Sequence, residues 1–136
     1  MLRLLAKISL LLFPICFYGA EGQGAPDTEA ICFEGFAGDG NVGVCRTAQE
    51  DATQTHLYTC PYSYCSSDGN KWVLMRGCQL IGSKDKGQSE QQCVLYCWDP
   101  VKNNWVCTNS GEDSYTCTDR AGDYIVCTRC TEVPKS

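Results

Sequence analysis

The sequence predicts a small all-β protein stabilised by metal or by disulfides, with two tandem homologous, β-hairpin-rich modules behind a signal peptide. Three observations predict it. Cysteine occupies 12 of the 136 positions. Short runs rich in Val, Ile, Trp and Tyr alternate with turn residues. The cysteine landmarks also recur in one order in two halves of the chain.

The N-terminus sets the compartment. Arg3 and Lys7 form a short cationic region, and Ile8 to Tyr18 is an apolar stretch too short to span a bilayer. Ala20-Glu21-Gly22 or Gly22-Gln23-Gly24 would suit signal peptidase. Residues 1–22 are therefore expected to be a signal peptide that takes Cys16 with it, and 23–30 a flexible leader. No later stretch is apolar enough to cross a membrane, so the mature chain is expected to be secreted, and as a monomer. Of its charged residues, nine Lys or Arg face fifteen Asp or Glu, a net charge near −6. The cations are scattered from Arg46 to Lys135, which argues against nucleic acid or an anionic membrane as partner.

Six landmarks carry the repeat. Cys32-Phe33-Glu34 matches Cys97-Trp98-Asp99, and Val44-Cys45 matches Val106-Cys107. The acidic pairs Glu50-Asp51 and Glu112-Asp113 follow, then Tyr58-Thr59-Cys60 and Tyr115-Thr116-Cys117. Trp72-Val73 and Tyr124-Ile125 stand at one distance before Cys78 and Cys130. Module 1 is thus expected over 31–80 and module 2 over 92–131, each able to fold alone. A polar linker joins them over 81–91, and 132–136 is a tail. Cys32, Cys45, Cys60 and Cys78 are shared with Cys97, Cys107, Cys117 and Cys130. Cys65, Cys93 and Cys127 are left over, with Met75 where Cys127 would fall in the first copy. Counting the one histidine, His56, gives each module six candidate ligands.

Strands are expected over Lys71–Met75, Asn104–Thr108 and Asp123–Thr128. Asp68-Gly69-Asn70, Lys102-Asn103-Asn104 and Ala121-Gly122-Asp123 supply turns beside them. Gaps of nine residues separate Cys97, Cys107, Cys117 and Cys127, a spacing that suits hairpins. No segment holds a helical period.

With so few Leu, Ile and Met, apolar burial cannot offset chain entropy without cross-links. Zinc takes four N or S ligands tetrahedrally, and six thiolates hold two ions if two of them bridge. Module 1 offers Cys32, Cys45, His56, Cys60, Cys65 and Cys78; module 2 offers Cys93, Cys97, Cys107, Cys117, Cys127 and Cys130. One ion on the shared four is the other arrangement. The competing chemistry is five disulfides, with one thiol left among Cys65, Cys93 and Cys127. Secretion favours disulfides; the repeat and the balancing histidine favour zinc. Spacing leaves pairing and ion count open.

Catalytic signatures are absent. His56 lies in a polar stretch without a partner for base catalysis, and the repeated acidic pairs read as solvated loops more readily than as glycosidase acids. Phe33, Trp98, Tyr58 and Tyr115 are expected to cover cross-links, while Trp72 or Trp105, if exposed, could anchor a partner.

The leader, the acidic mature chain and cysteines preceded at two residues by aromatics (Tyr58-Thr59-Cys60, Trp105-Val106-Cys107, Tyr115-Thr116-Cys117) resemble secreted rust-fungus effectors. The duplicated six-ligand module resembles, within these, the cysteine-rich, zinc-binding avirulence effectors of stem-rust fungi (Puccinia) detected by a rye-derived wheat resistance receptor. The resemblance spans the mature chain. It implies one or two structural zinc ions per module and delivery into the plant cell cytoplasm. It further implies an unknown host protein target and recognition by a nucleotide-binding leucine-rich-repeat receptor. In reducing cytosol, zinc thiolates persist where disulfides do not. The alternative reading is an extracellular disulfide-rich binding protein: an apoplastic inhibitor, a toxin or a carbohydrate-binding module.

Overall fold

Alternating apolar runs and strong turn formers give eleven strands and, among the described residues, no α-helix. They are β1 Thr28–Ile31, β2 Gly35–Gly38, β3 Val42–Ala48, β4 Thr55–Pro61, β5 Cys65–Ser66 and β6 Val73–Leu80. Then follow β7 Ser89–Asp99, β8 Asn104–Asn109, β9 Ser114–Cys117, β10 Asp119–Arg120 and β11 Val126–Glu132. One 3₁₀ turn, Tyr62–Tyr64, leads into β5. This computed structural model describes residues 28–48, 55–84 and 87–134; the expected signal peptide, most of the leader and Glu50-Asp51 lie outside them.

The turns follow from side-chain chemistry. Asp39 Oδ1 accepts the N–H groups of Asn41 and Val42, both at 2.9 Å, and closes the β2–β3 turn. Those bonds, Val42's above all, hold the Asp39 carboxyl below its usual value. Asp99 Oδ1 does the same for Val101 and Lys102 between β7 and β8, and Asn109 Oδ1 for Gly111 and Asp113 between β8 and β9. A short polar side chain mimicking a backbone turn is the reason Asp and Asn recur there. Asp68 and Gly69, both at positive φ (49° and 83°), form a tight reversal in which Ser67 and Asn70 exchange backbone hydrogen bonds.

Sulfur fills the space that large aliphatic residues would occupy. Half of the buried apolar residues are cysteines, packed around Phe36, Tyr96, Met75, Val73 and Ile125. Five disulfides are Cys32–Cys45, Cys60–Cys130, Cys65–Cys127, Cys78–Cys117 and Cys93–Cys107. Cys97 is disulfide-bonded too, and no cysteine among the described residues is free.

The strand order is β1-β11-β4-β3-β2-β7-β8-β9-β6-β10, with β5 also on β11 and β6 also on β7. The ranges expected as modules are interleaved. Among the described residues β6, from the first range, pairs only with β7, β9 and β10 of the second; β11, from the second, pairs with β1, β4 and β5 of the first. Three disulfides cross the same divide, joining residues 70, 62 and 39 apart. Residues 89–91, expected as linker, already belong to β7.

The two halves pair in matching registers. Cys45 faces Tyr58 and Val44 faces Thr59 as Cys107 faces Tyr115 and Val106 faces Thr116. Gln79 and Leu80 of β6 face Thr116 and Tyr115, as Thr131 and Glu132 of β11 face Thr59 and Tyr58. Cys78 opposes Ser89, Met75 opposes Gln91 and Leu74 opposes Gln92; Cys130, Cys127 and Val126 likewise oppose Thr28, Ala30 and Ile31. A bulge interrupts both ladders at the same place. By this register the counterpart of Cys32 is Cys93, not Cys97, and Met75 stands where β11 has Cys127. The two halves meet at β2 and β7, where the buried Phe36 and Tyr96 oppose each other.

Candidate functional site

The strands gather ten cysteines into two buried clusters. In the first, β11 brings Cys127 and Cys130 between β1 and β4. The Cys32 and Cys127 sulfurs stand 3.9 Å apart, although each belongs to a different disulfide. Cys32, Cys45 and Cys127 place their sulfurs within 4.8 Å of one another, and so do Cys60, Cys65 and Cys127. Six sulfurs therefore form one group, with Cys127 at its centre. In the second cluster, β6 brings Cys78 to Cys117, and Cys93, Cys107 and Cys117 fall within the same limit. Met75, fully buried, fills the place of a fifth sulfur.

Close backbone approach makes room for the first cluster. A Cβ on Gly43 would lie 2.9 Å from the Cys65 sulfur and 3.0 Å from the Phe36 ring. Lys71 holds the loop above Cys65. Its ammonium donates to the carbonyls of Tyr62 (2.8 Å) and Cys65 (2.5 Å) and lies 4.7 Å from the Tyr62 ring centre. Partial burial lowers the Lys71 pKa and raises that of the Tyr62 phenol, since each loses water around its charged form.

Tyr96 pins the halves together. Its hydroxyl donates to the Cys32 carbonyl at 2.7 Å and accepts the Ile125 N–H at 3.1 Å, just ahead of β11. Burial pushes its pKa well above the usual phenol value. Sequence reasoning did not single it out; its place in an apolar run between Cys93 and Cys97 marks burial, but nothing local marks the two bonds.

The expected ligands separate accordingly. Cys32, Cys45, Cys60, Cys65, Cys127 and Cys130 meet in one cluster, and Cys78, Cys93, Cys107 and Cys117 in the other. Cys97 lies apart, beside Ala37, Val44 and Leu95. His56 is on β4 with its Nδ1 2.6 Å from Glu132 Oε2, which also accepts the Tyr58 hydroxyl at 3.2 Å, and it belongs to neither sulfur group. Glu112 and Asp113 are exposed in the β8–β9 turn. Trp105 is buried (8% exposed) against Trp98, Tyr96 and Tyr124, so it belongs to the core and not to a partner-facing surface.

The sulfurs fit two chemistries. As they stand they are disulfides. Tetrahedral zinc, at about 2.3 Å from each thiolate, needs sulfurs about 3.8 Å apart; the non-bonded Cys32 and Cys127 sulfurs stand 3.9 Å apart, while the bonded pairs would have to separate on reduction. Reduced, the six-sulfur group has the donors for two edge-sharing tetrahedra and the four-sulfur group for one.

Fold and site thus define a class: a small, cysteine-rich, all-β protein whose core is largely sulfur. Its disulfides are compatible with secretion, and no helix among the described residues is long and apolar enough to cross a membrane. No family model, curated protein or solved structure matches the chain.

Proposed function

We propose that this chain is a secreted, non-enzymatic effector of the stem-rust type, acting inside plant host cells by protein–protein contact and recognised there by a nucleotide-binding leucine-rich-repeat receptor. We further propose that its halves are homologous copies that have exchanged their last strands, and that zinc replaces the disulfides in a reducing compartment. The matching registers support the duplication. The observation that carries the zinc reading is the third sulfur within reach of each triad's disulfide, an arrangement a bridge does not need but a tetrathiolate does. Zinc, when bound, would supply folding energy in place of the covalent links. Cys32, Cys45, Cys60, Cys65, Cys127 and Cys130 would hold two ions, and Cys78, Cys93, Cys107 and Cys117 one.

A second reading has its own support in the five closed bridges: an extracellular inhibitor, toxin or carbohydrate-binding module that never meets a reducing compartment. Native and denaturing mass spectrometry of the mature protein separates the two. Purified with reductant and zinc, it should carry roughly three ions, given four thiolates per ion with bridging, and unfold in chelator. Protein that takes up no zinc after reduction, and regains its fold only on reoxidation, would sink the zinc reading. Receptor-dependent cell death on co-expression in leaf cells tests the effector role; its absence across the relevant receptors counts against it.

A further inference from the structure

The inner and outer faces of β11 differ in kind. Cys127 pairs with Ala30 and Cys65, and all three point into the first sulfur cluster. Val126 pairs with Ile31 and Ser66, and this row forms the floor of an open cleft of about 720 Å³ on the opposite face. Phe33 and Tyr124, in edge-to-face contact at 4.9 Å, make one wall. Tyr64 stands at the other, with Phe33 and Tyr64 39% and 44% exposed. Between the walls sit two carboxylates, Asp68 from the tight turn after β5 and Asp123 ahead of β11. Asp123, by hydrogen bonding first and by charge second, raises the Asp68 pKa, as one carboxyl does beside another. Chain geometry fixes the placement: Ser67 Oγ donates to the Asp123 carbonyl at 2.8 Å, tying the two turns together.

Exposed rings around a pair of adjacent carboxylates suit a ligand that is cationic at its head and apolar along its stem. A neutral ligand would strip water from both carboxylates without compensating their charge. A guanidinium can bond both at once, and stacks on tyrosine. Tyrosines at this site already accept that contact: Arg120 lies 3.8 Å from the Tyr124 ring centre and Arg129 4.6 Å from that of Tyr64, and neither arginine lines the cleft. We infer that the cleft over β11 binds an extended peptide segment of a partner protein through an arginine side chain seated between Asp68 and Asp123, with its apolar neighbours against Phe33, Tyr64 and Tyr124. This names the surface for the protein contact proposed above and so rests on that reading.

The test is an amide chemical-shift titration of the mature, isotopically labelled protein with a blocked Gly-Leu-Arg-Leu-Gly peptide and its citrulline counterpart. Saturable shifts centred on Phe33, Tyr64, Asp68, Asp123 and Val126 are expected, with affinity reduced about tenfold for citrulline and for Asp123→Asn, as loss of a charge-assisted pair implies. Tyr64→Ala, at an exposed position, should weaken binding without disturbing the fold. Equal binding of the citrulline peptide, shifts spread over the acidic surface, or preference for a neutral oligosaccharide would each overturn the assignment. Wild-type protein that triggers receptor-dependent cell death but ignores the arginine peptide overturns the cleft alone. Protein that binds the peptide in the cleft yet engages no host protein overturns the effector reading alone.

Discussion

Removing one oxygen atom, by Tyr96→Phe, tests how the halves are joined. The Tyr96 hydroxyl is the hydrogen-bond partner of the Cys32 carbonyl and of the Ile125 N–H, at 2.7 and 3.1 Å, in surroundings without solvent. Phenylalanine keeps the ring packing and leaves both groups facing an apolar edge. Each buried group left unsatisfied costs about 1–3 kcal/mol, so the pair costs about 3 kcal/mol. At about 4–8 °C per kcal/mol for a domain near this size, the melting temperature should fall by roughly 12–24 °C. The assay is thermal unfolding of oxidised protein followed by circular dichroism. Tyr58→Phe is the control, since it loses one partly exposed bond to Glu132 and should lower stability by only about 0.5–1 kcal/mol. A Tyr96→Phe protein that melts within about 3 °C of wild type would refute the idea that this hydroxyl fastens β7 to the segments on either side.

Other outcomes follow from the same geometry. Fragments covering 26–82 and 88–136 should each be unfolded alone and should fold when mixed, because β6 and β11 find their partners in the other fragment; dispersed amide spectra from either fragment alone would contradict this. Gly43→Ala should cost about 1–3 kcal/mol in denaturant melts, since its Cβ would meet the Cys65 sulfur at 2.9 Å and cores resist such insertion. Asp39→Ala should lose about 1 kcal/mol at neutral pH with its turn bonds. The Asp39 carboxyl is depressed below its ordinary 3.8, so its ionised form stabilises the fold at pH values above that. That contribution disappears as the pH drops through the lowered pKa, and acid titration of stability should show the gap between wild type and Asp39→Ala closing there.

Much of the strand pattern could be read from the residues, because β-branched and aromatic runs between Asp, Asn and Gly turns leave little choice. Val44-Cys45 and Tyr58-Thr59-Cys60 face each other as Val106-Cys107 and Tyr115-Thr116-Cys117 do, and Met75 takes the position in β6 that corresponds to Cys127 in β11. The match of Cys32 with Cys97 rests on a local likeness, whereas the ladder registers make Cys32 correspond to Cys93. Phe33-Glu34 and Trp98-Asp99 look alike, but β7 carries an irregularity between Cys93 and Leu95 that only hydrogen-bond register reveals. His56 entered the ligand set by counting. Its place on β4 opposite Thr47 instead brings it to Glu132, a residue 76 positions on that no spacing rule connects to it. Partner choice was the largest gap. A strand's alternation reports which face is buried, not which neighbour supplies the hydrogen bonds, so β6 and β11 gave no sign that each would pair with strands of the other range. The aromatic cleft was hidden for the same reason, since Asp68 and Asp123 meet only after β5 and β11 pair.

That interleaved pairing has a consequence for how the chain comes into being. A polypeptide leaves the ribosome or a translocation pore from its N-terminus, and β11 emerges after the ten strands before it. The first half therefore waits, with Cys60 and Cys65 unmatched, until β11 is out. Early bridges among Cys32, Cys45, Cys60 and Cys65 would be wrong in every combination but one, Cys32–Cys45. Loss of β11 would leave the first half without its closing strand and would remove two of the three disulfides that cross between the halves.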